Sequence, residues 1–225
     1  MHKVKTIDLK KQIIADNGRD AEALRGELKA KGVFYFNLMS SPGGGKTTLI
    51  LETAKRLKSR YRIGVMEADI DSDVDAAAVL ARGIESVQLH TGGMCHLDAA
   101  MSRQGLSALG ENFDMVILEN VGNLVCPAEF DTGAAASAAV LSVPEGDDKP
   151  LKYPLMFEQV NAVCVSKIDT AAYFDFDRSR FAEHVNRVHP GVPVFFLSAQ
   201  TGEGVGEWTA WLAEQIDRWK GKIDA

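Results

Sequence analysis

The segment Ser40-Ser41-Pro42-Gly43-Gly44-Gly45-Lys46-Thr47-Thr48 carries the densest chemistry in the chain. It nearly matches the phosphate-binding spacing G-x-x-x-x-G-K-[ST], with Ser40 where the first glycine is usual. Gly43, Gly44 and Gly45 let consecutive backbone N–H groups converge on phosphate oxygens, assisted by the positive end of the helix that follows. Lys46 is expected to stay exposed until a phosphate arrives and then to reach the β- and γ-phosphates. Thr47 offers its hydroxyl to Mg²⁺, with Thr48 beside it. A plain glycine-rich turn is the competing reading. Lys-Thr-Thr in register, with a strand pattern before it and a helix pattern after it, argues against that.

Two later segments bear on the base. Ser166-Lys167-Ile168-Asp169 follows an apolar run and stands where guanine-specific sites carry Asn-Lys-x-Asp. Asp169 offers the paired acceptor that guanine satisfies and adenine does not, and Lys167 can lie along the base. Ser166 in place of Asn is expected to loosen the tie to the phosphate loop. Ser198-Ala199-Gln200-Thr201-Gly202 also follows a strand pattern, and its backbone N–H groups suit guanine O6. Together the two segments favour GTP and GDP over ATP. Acids complete this site. Asp69 lies just past one strand pattern and is expected in the Mg²⁺ shell, ahead of Asp71, Asp73 and Asp75, which read as a solvated loop. Glu119 ends another, in Glu119-Asn120-Val121-Gly122. A carboxylate there is costly to desolvate without a cation or donors, which points to Mg²⁺ or the attacking water. With Lys46, these acids would act by positioning and charge neutralisation.

A softer set of donors lies apart from these. Cys95 and His96 adjoin where a helix is expected to begin, a position that should lower a thiol's pKa. Cys126, in Asn123-Leu124-Val125-Cys126-Pro127, is seven residues past Glu119. Thiolate with imidazole selects Ni²⁺, Zn²⁺ or copper over Mg²⁺ or Ca²⁺. Three ligands fall short of a closed structural zinc site, so the shell would be completed by water, another residue or a second subunit. Cys164, inside an apolar strand, reads as a small buried hydrophobe, and His90 has no assigned role.

These residues need strand ends to hold them. Strand patterns fall at Val33–Met39, Arg62–Glu67, Ser86–Leu89, Met115–Glu119, Ala138–Val143, Ala162–Ser166 and Pro193–Ser198. Helical patterns fall at Lys46–Arg60, Val74–Ala81, Leu97–Leu109, Phe181–Val188 and Val205–Trp219. The alternation predicts an α/β fold, a mostly parallel sheet with helices on both faces and ligands at the strands' carboxyl ends. Residues 1–32 read as an N-terminal helical extension broken at Asn17-Gly18, with Asp20 capping the second piece, and 33–225 as a P-loop domain with the metal site embedded. Val205, Trp208, Leu212, Ile216 and Trp219 make one apolar stripe, so those tryptophans are expected in the core. The 225 residues carry a net charge of −6 and are 46% apolar and 25% charged, the composition of a soluble globular protein. The acidic balance speaks against a nucleic-acid surface. No apolar run nears the roughly 20 residues that span a bilayer, and the first residues lack an export signal. Three cysteines do not make a disulfide framework, so a reducing cytoplasm is the expected compartment.

The segments SSPGGGKTT, TGGMCHLDAAM, ENVGNLVCPAEFD, EGDDKPLKYPLMF and SAQTGEG resemble the hydrogenase maturation GTPases of the HypB type, nickel-incorporation proteins of the SIMIBI class of P-loop proteins. The resemblance runs from about Val33 to Trp211. It implies a Mg²⁺-dependent GTPase that binds nickel, or zinc, at Cys95, His96 and Cys126 and assists nickel insertion during hydrogenase maturation. It further implies Glu119 and Asp69 as Mg²⁺ or catalytic acids, with Asp75 a weaker transfer, and Lys149 near the nucleotide or a dimer partner. GTP-promoted homodimers, a partner nickel-maturation protein and the hydrogenase large subunit follow from it as partners. Some members store nickel in a Cys- or His-rich N-terminal segment. Here that region holds only His2, so such storage is not expected. A urease accessory GTPase would carry a Cys-Pro-His motif absent here. A partitioning or transport ATPase would not require Asp169 or the cysteines, and a zinc scaffold would have no use for Lys46 or Glu119.

Overall fold

The computed structural model describes residues 9–69 and 79–223. Asp71, Asp73, Asp75 and most of the expected helix Val74–Ala81 lie outside the described residues. Near-continuous apolar runs, rather than alternating ones, suit strands covered on both faces. Seven strands pair here, the edge strands only partly buried: β1 (Phe34–Ser40), β2 (Ile63–Asp69), β3 (Glu85–His90), β4 (Met115–Glu119), β5 (Ala136–Ser142), β6 (Ala162–Ser166) and β7 (Val194–Phe196). Their order is β3-β2-β4-β1-β5-β6-β7 and every pairing is parallel, as the expected fold requires. β1 and β4 are buried at every position.

Helices cover both faces: α1 (Leu9–Lys31), α2 (Lys46–Leu57), α3 (Ala99–Leu109), the short α4 (Cys126–Glu129), α5 (Lys149–Lys152) and α6 (Pro154–Glu158), then α7 (Arg178–Val188) and α8 (Val205–Trp219). Alternate β1 residues divide between the faces. Phe34, Phe36 and Leu38 join Leu49 and Ile50 of α2 and Trp208, Leu212 and Ile216 of α8 in one core. Tyr35 faces the other way, toward Leu24 and Leu28 of α1 and Leu97. Trp208 is buried and donates from Nε1 to Thr53 Oγ1 at 3.0 Å, while Trp219 packs partly buried against the same core. The tryptophans are core anchors.

Several boundaries differ from the sequence patterns by one to three residues. α2 ends at Leu57 rather than Arg60, α3 begins at Ala99 rather than Leu97, and α7 begins at Arg178 rather than Phe181. The expected break at Asn17-Gly18 is absent. α1 runs through it, and Asp20 lies exposed in mid-helix rather than at a cap. Tertiary bonds account for this. The Asn17 amide donates to Asp131 O and accepts from Ala99 N, both at 2.9 Å, so a side chain that would compete with the helix backbone is occupied elsewhere. No helix among the described residues is long and apolar enough to cross a membrane.

Candidate nucleotide and metal site

β1 ends in Ser40, and the chain turns through Gly43 and Gly45, at φ +73° and +92°, before α2 begins at Lys46. A Cβ at Gly45 would lie 3.3 Å from Ser166 Oγ on top of that strained φ, so both conformation and space demand glycine there. The loop borders a cleft of about 550 Å³ at the carboxyl ends of β1, β2 and β4, lined also by Glu67, Asp69, Glu119 and Lys167. Thr47 and Thr48 stand at its rim, and Gly122 closes against Pro42, where an added Cβ would come within 3.1 Å of Pro42 Cα.

Three expected residues meet in this cleft. Thr47 Oγ1 donates to Glu119 Oε1 at 2.9 Å, and Lys46 Nζ lies 3.8 Å from that oxygen while donating to Ser40 Oγ at 2.9 Å. Lys46 is thus buried, at 8% exposure, rather than exposed as the sequence suggests. Ser40 explains the difference: its hydroxyl folds the lysine back over the loop while Glu119 supplies the countercharge. Asp69 ends β2 at the edge of the same cleft.

The segment after β6, expected to read the base, reaches the phosphate loop. Ser166 Oγ donates to Gly44 O at 2.6 Å, and Lys167 Nζ donates to Gly43 O at 2.8 Å. The expected loosening by Ser166 is therefore overturned, because its short hydroxyl makes a buried bond to the loop backbone. Asp169 is exposed in the 3-10 turn that follows. Ile168 N bonds Leu197 O at 3.3 Å, bringing that turn against the strand end that carries Ser198 and Ala199. Ser198 is buried, its N–H donating to Glu203 O at 2.9 Å, so it holds its own loop.

Sequence reasoning missed the bracing of the phosphate loop from β5. Ser41 Oγ donates to Glu145 Oε2, whose other oxygen accepts from Ser142 N at 2.8 Å and Ser142 Oγ at 2.9 Å. Ser142-Val143-Pro144-Glu145 is a capping-box spacing, a legible signal. Asp147 fastens the next segment to α7 through Arg180 Nε at 2.7 Å. Burial alone would push its carboxyl up. The bonds from Arg180 and the Asp177 N–H, with the Arg180 and His184 charges, outweigh that and hold it below the ordinary carboxylate value. Lys149 is outside the cleft lining, its ammonium 5.5 Å from the centre of the Tyr153 ring. A hollow of about 580 Å³ on the α1 face has no phosphate loop, and its Arg25 is committed to Asp131 at 2.7 and 2.8 Å.

The softer donors gather at the ends of β3 and β4. Gly92 and Gly93, at φ +62° and +93°, turn the chain after β3, and Leu97 is buried beyond it. Cys95 Sγ lies 3.9 Å from His96 Nδ1, and the Cys126 thiol is near enough to influence it. The His96 ring stacks on Phe130, centroids 3.7 Å apart and planes 13° apart. The expected lowering of the Cys95 pKa is overturned. The Cys126 thiol pushes it up, with burial adding to the effect, and the cap of α3 is taken by Asp98, which accepts from Met101 N at 2.8 Å. Burial pushes His96 down against the pull of Asp98 and Glu129, favouring the neutral imidazole that metals bind. Among the described residues no group of three or more His, Cys, Asp or Glu side chains is placed to hold a metal ion, so the structure does not assemble Cys95, His96 and Cys126 into the expected ligand set. The three donors share one corner without a completed shell. Cys164 is buried and His90 exposed.

A parallel sheet with a glycine loop between β1 and α2, a buried lysine and a strand-end acid facing a threonine hydroxyl defines a P-loop nucleotide-binding protein. Residues 35–196 match the family model described as CobW/HypB/UreG, nucleotide-binding domain. The hydrogenase maturation factor HypB of Azotobacter vinelandii is 43% identical over 219 residues, covering 96% of this chain and 72% of its own. A crystal structure of HypB from Helicobacter pylori in complex with nickel superposes with a TM-score of 0.85 at 36% identity, over 90% of this chain and 96% of that one. HypB from Archaeoglobus fulgidus gives 0.84 at 33% identity, over 90% and 99%. The chain belongs to the CobW/HypB/UreG family and, within it, to the HypB hydrogenase maturation factors.

Proposed function

We propose that the chain is a Mg²⁺-dependent GTPase that carries nickel, with zinc able to occupy the same ligands, and assists nickel insertion into a hydrogenase large subunit. The observation that carries this reading is the grouping of Lys46, Thr47 and Glu119 in the cleft, with Cys126 seven residues along the segment that leaves Glu119. The nickel-bound Helicobacter pylori relative supports the cargo.

The hard oxygens of Thr47 and Glu119, already in contact, with Asp69 at the cleft edge, suit Mg²⁺. Bound there, the ion would neutralise charge developing on the transferred phosphoryl group. Lys46 orients the β- and γ-phosphates, the glycine N–H groups cradle them, and Glu119 orients water on the β4 side. Lys167 and Asp169 hold the base, Asp169 accepting from guanine and the Ser198-Ala199 backbone facing O6. Cys95, His96 and Cys126 hold the cargo ion through two sulfurs and a nitrogen, and binding must expel the thiol protons. An open shell suits transfer to a partner maturation protein in the cytoplasm, and a GTP-promoted homodimer would complete it. We assign residues 33–225 to the GTPase domain and 1–32 to a helical extension. Comparing GTP and ATP turnover with and without nickel tests the reading. Asp169→Asn should lower GTP affinity by roughly 1.5–3 kcal/mol and raise that for xanthosine triphosphate. Unchanged GTP selectivity in that variant refutes the base assignment.

A further inference from the structure

The cleft contains more acid than the roles above use. In the sheet register Gln88 of β3 pairs with Glu67 of β2, and Glu67 with Glu119 of β4. Side chains at one register level share a face, so the three form a polar row. That face is the one α2 covers, since Val65 and Ile117, two residues before Glu67 and Glu119, lie in the same core as Leu49 of α2. All three side chains line the cleft beside Lys46 and Thr47. Glu67 is 2% exposed and Glu119 6%.

Two features of the row point to a hydrated cation. The cleft gathers three carboxylates, Glu67, Asp69 and Glu119, against two ammonium groups, Lys46 and Lys167, and Lys167 is turned to Gly43 O. Carboxylate oxygens gathered at strand ends suit a hard cation such as Mg²⁺. The Gln88 amide nitrogen and oxygen are both buried and have no hydrogen-bond partner among the described residues. A donor and an acceptor so placed in a polar, roomy cleft are the fittings of an ordered water. Mg²⁺ keeps several of its waters when bound by protein, and the carboxylates that hold those waters fix the ion's position. Glu67 stands one strand spacing, about 4.8 Å, beyond Glu119 as seen from Thr47. That offset separates a group that touches an ion from one that touches its water.

We propose that Glu67, with Gln88, is a positioning residue for Mg²⁺ at the nucleotide site, holding a water of the ion's outer shell. This rests on the reading of the cleft as a nucleotide site. The test uses the full chain loaded with a non-hydrolysable GTP analogue, with Mn²⁺ standing in for Mg²⁺ and its affinity read from the EPR signal of the free ion. Analogue affinity is measured separately without metal. Glu67→Gln should weaken Mn²⁺ binding roughly 10- to 100-fold without weakening analogue binding in the absence of metal. Gln88→Leu should act in the same direction by a smaller factor. Wild-type Mn²⁺ affinity in Glu67→Gln overturns the proposal. Where that variant does not fold, Gln88→Leu decides on the same measurement, and an unchanged affinity there overturns it equally. Failure of the wild-type chain to bind the analogue with Mn²⁺ present overturns the nucleotide-site reading itself, and is seen before any variant is made.

Discussion

Replacing Ser166 with alanine removes one buried hydroxyl and tests whether the β6 end holds the phosphate loop. Ser166 is 4% exposed, and its Oγ donates to Gly44 O at 2.6 Å. Gly44 is itself buried, so its carbonyl cannot recover a partner from bulk water without the loop moving. Leaving such a group unsatisfied costs about 1–3 kcal/mol. Borne by the whole fold, that lowers Tm by roughly 2–4 °C for each kcal/mol at this chain length. If the loop instead relaxes in the free protein and must be drawn back by phosphate, the same energy appears as a roughly 5- to 150-fold loss of nucleotide affinity. Thermal unfolding with and without GDP, together with titration of a fluorescent GDP, separates the two. Wild-type Tm and wild-type affinity in Ser166→Ala would refute the idea that this residue ties the base element to the loop.

Lys46→Ala should abolish measurable hydrolysis and also destabilise the nucleotide-free protein, since breaking a buried ion pair costs about 3–5 kcal/mol; normal turnover would remove the phosphate-loop argument. Asp147 predicts a pH dependence. Its folded value lies below the ordinary 3.8, so its stabilisation is full above that value and is lost as pH falls through the lowered one. Arg180→Met should flatten this acid limb in urea unfolding between about pH 2 and 6, and an unchanged limb would show that the Arg180 bond does not set it.

The parts of the site legible in the sequence are those whose chemistry is local. A phosphate cradle needs its glycines, lysine and threonine within one turn, and an adjacent thiol and imidazole announce soft-metal chemistry by themselves. Contacts made by folding were not legible. Ser166 read as a weak substitute because the loop backbone it bonds lies more than a hundred residues away. Lys46 read as exposed because nothing local shows Ser40 and Glu119 closing over it. The break at Asn17-Gly18 followed local propensity, which bonds to Asp131 and Ala99 override. Glu67 passed as the last residue of a strand pattern. An acid there, with only Ala68 before Asp69, was a signal of burial at the strand's carboxyl end, but only the register with Gln88 and Glu119 gives it neighbours.

Nucleotide and metal binding are proposed to be coupled through the segment from Glu119 to Cys126. Glu119 touches Thr47 at one end of a seven-residue connection, and Cys126 stands at the other. Segments of this kind are ordered by a γ-phosphate and released on hydrolysis. Linkage is reciprocal, so a change in nickel affinity with nucleotide must be matched by an equal change in nucleotide affinity with nickel. The direct test is nickel affinity by isothermal titration in the GDP-bound and GTP-analogue-bound protein, for wild type, Cys126→Ala and Cys164→Ala. The account predicts that the two nucleotide states of the wild type differ by roughly 5- to 150-fold. It predicts that Cys126→Ala largely abolishes the difference and that Cys164→Ala, altering a buried thiol away from the site, preserves it. Equal nickel affinities in the two wild-type states would contradict the claim and leave the metal and nucleotide sites as neighbours without coupling.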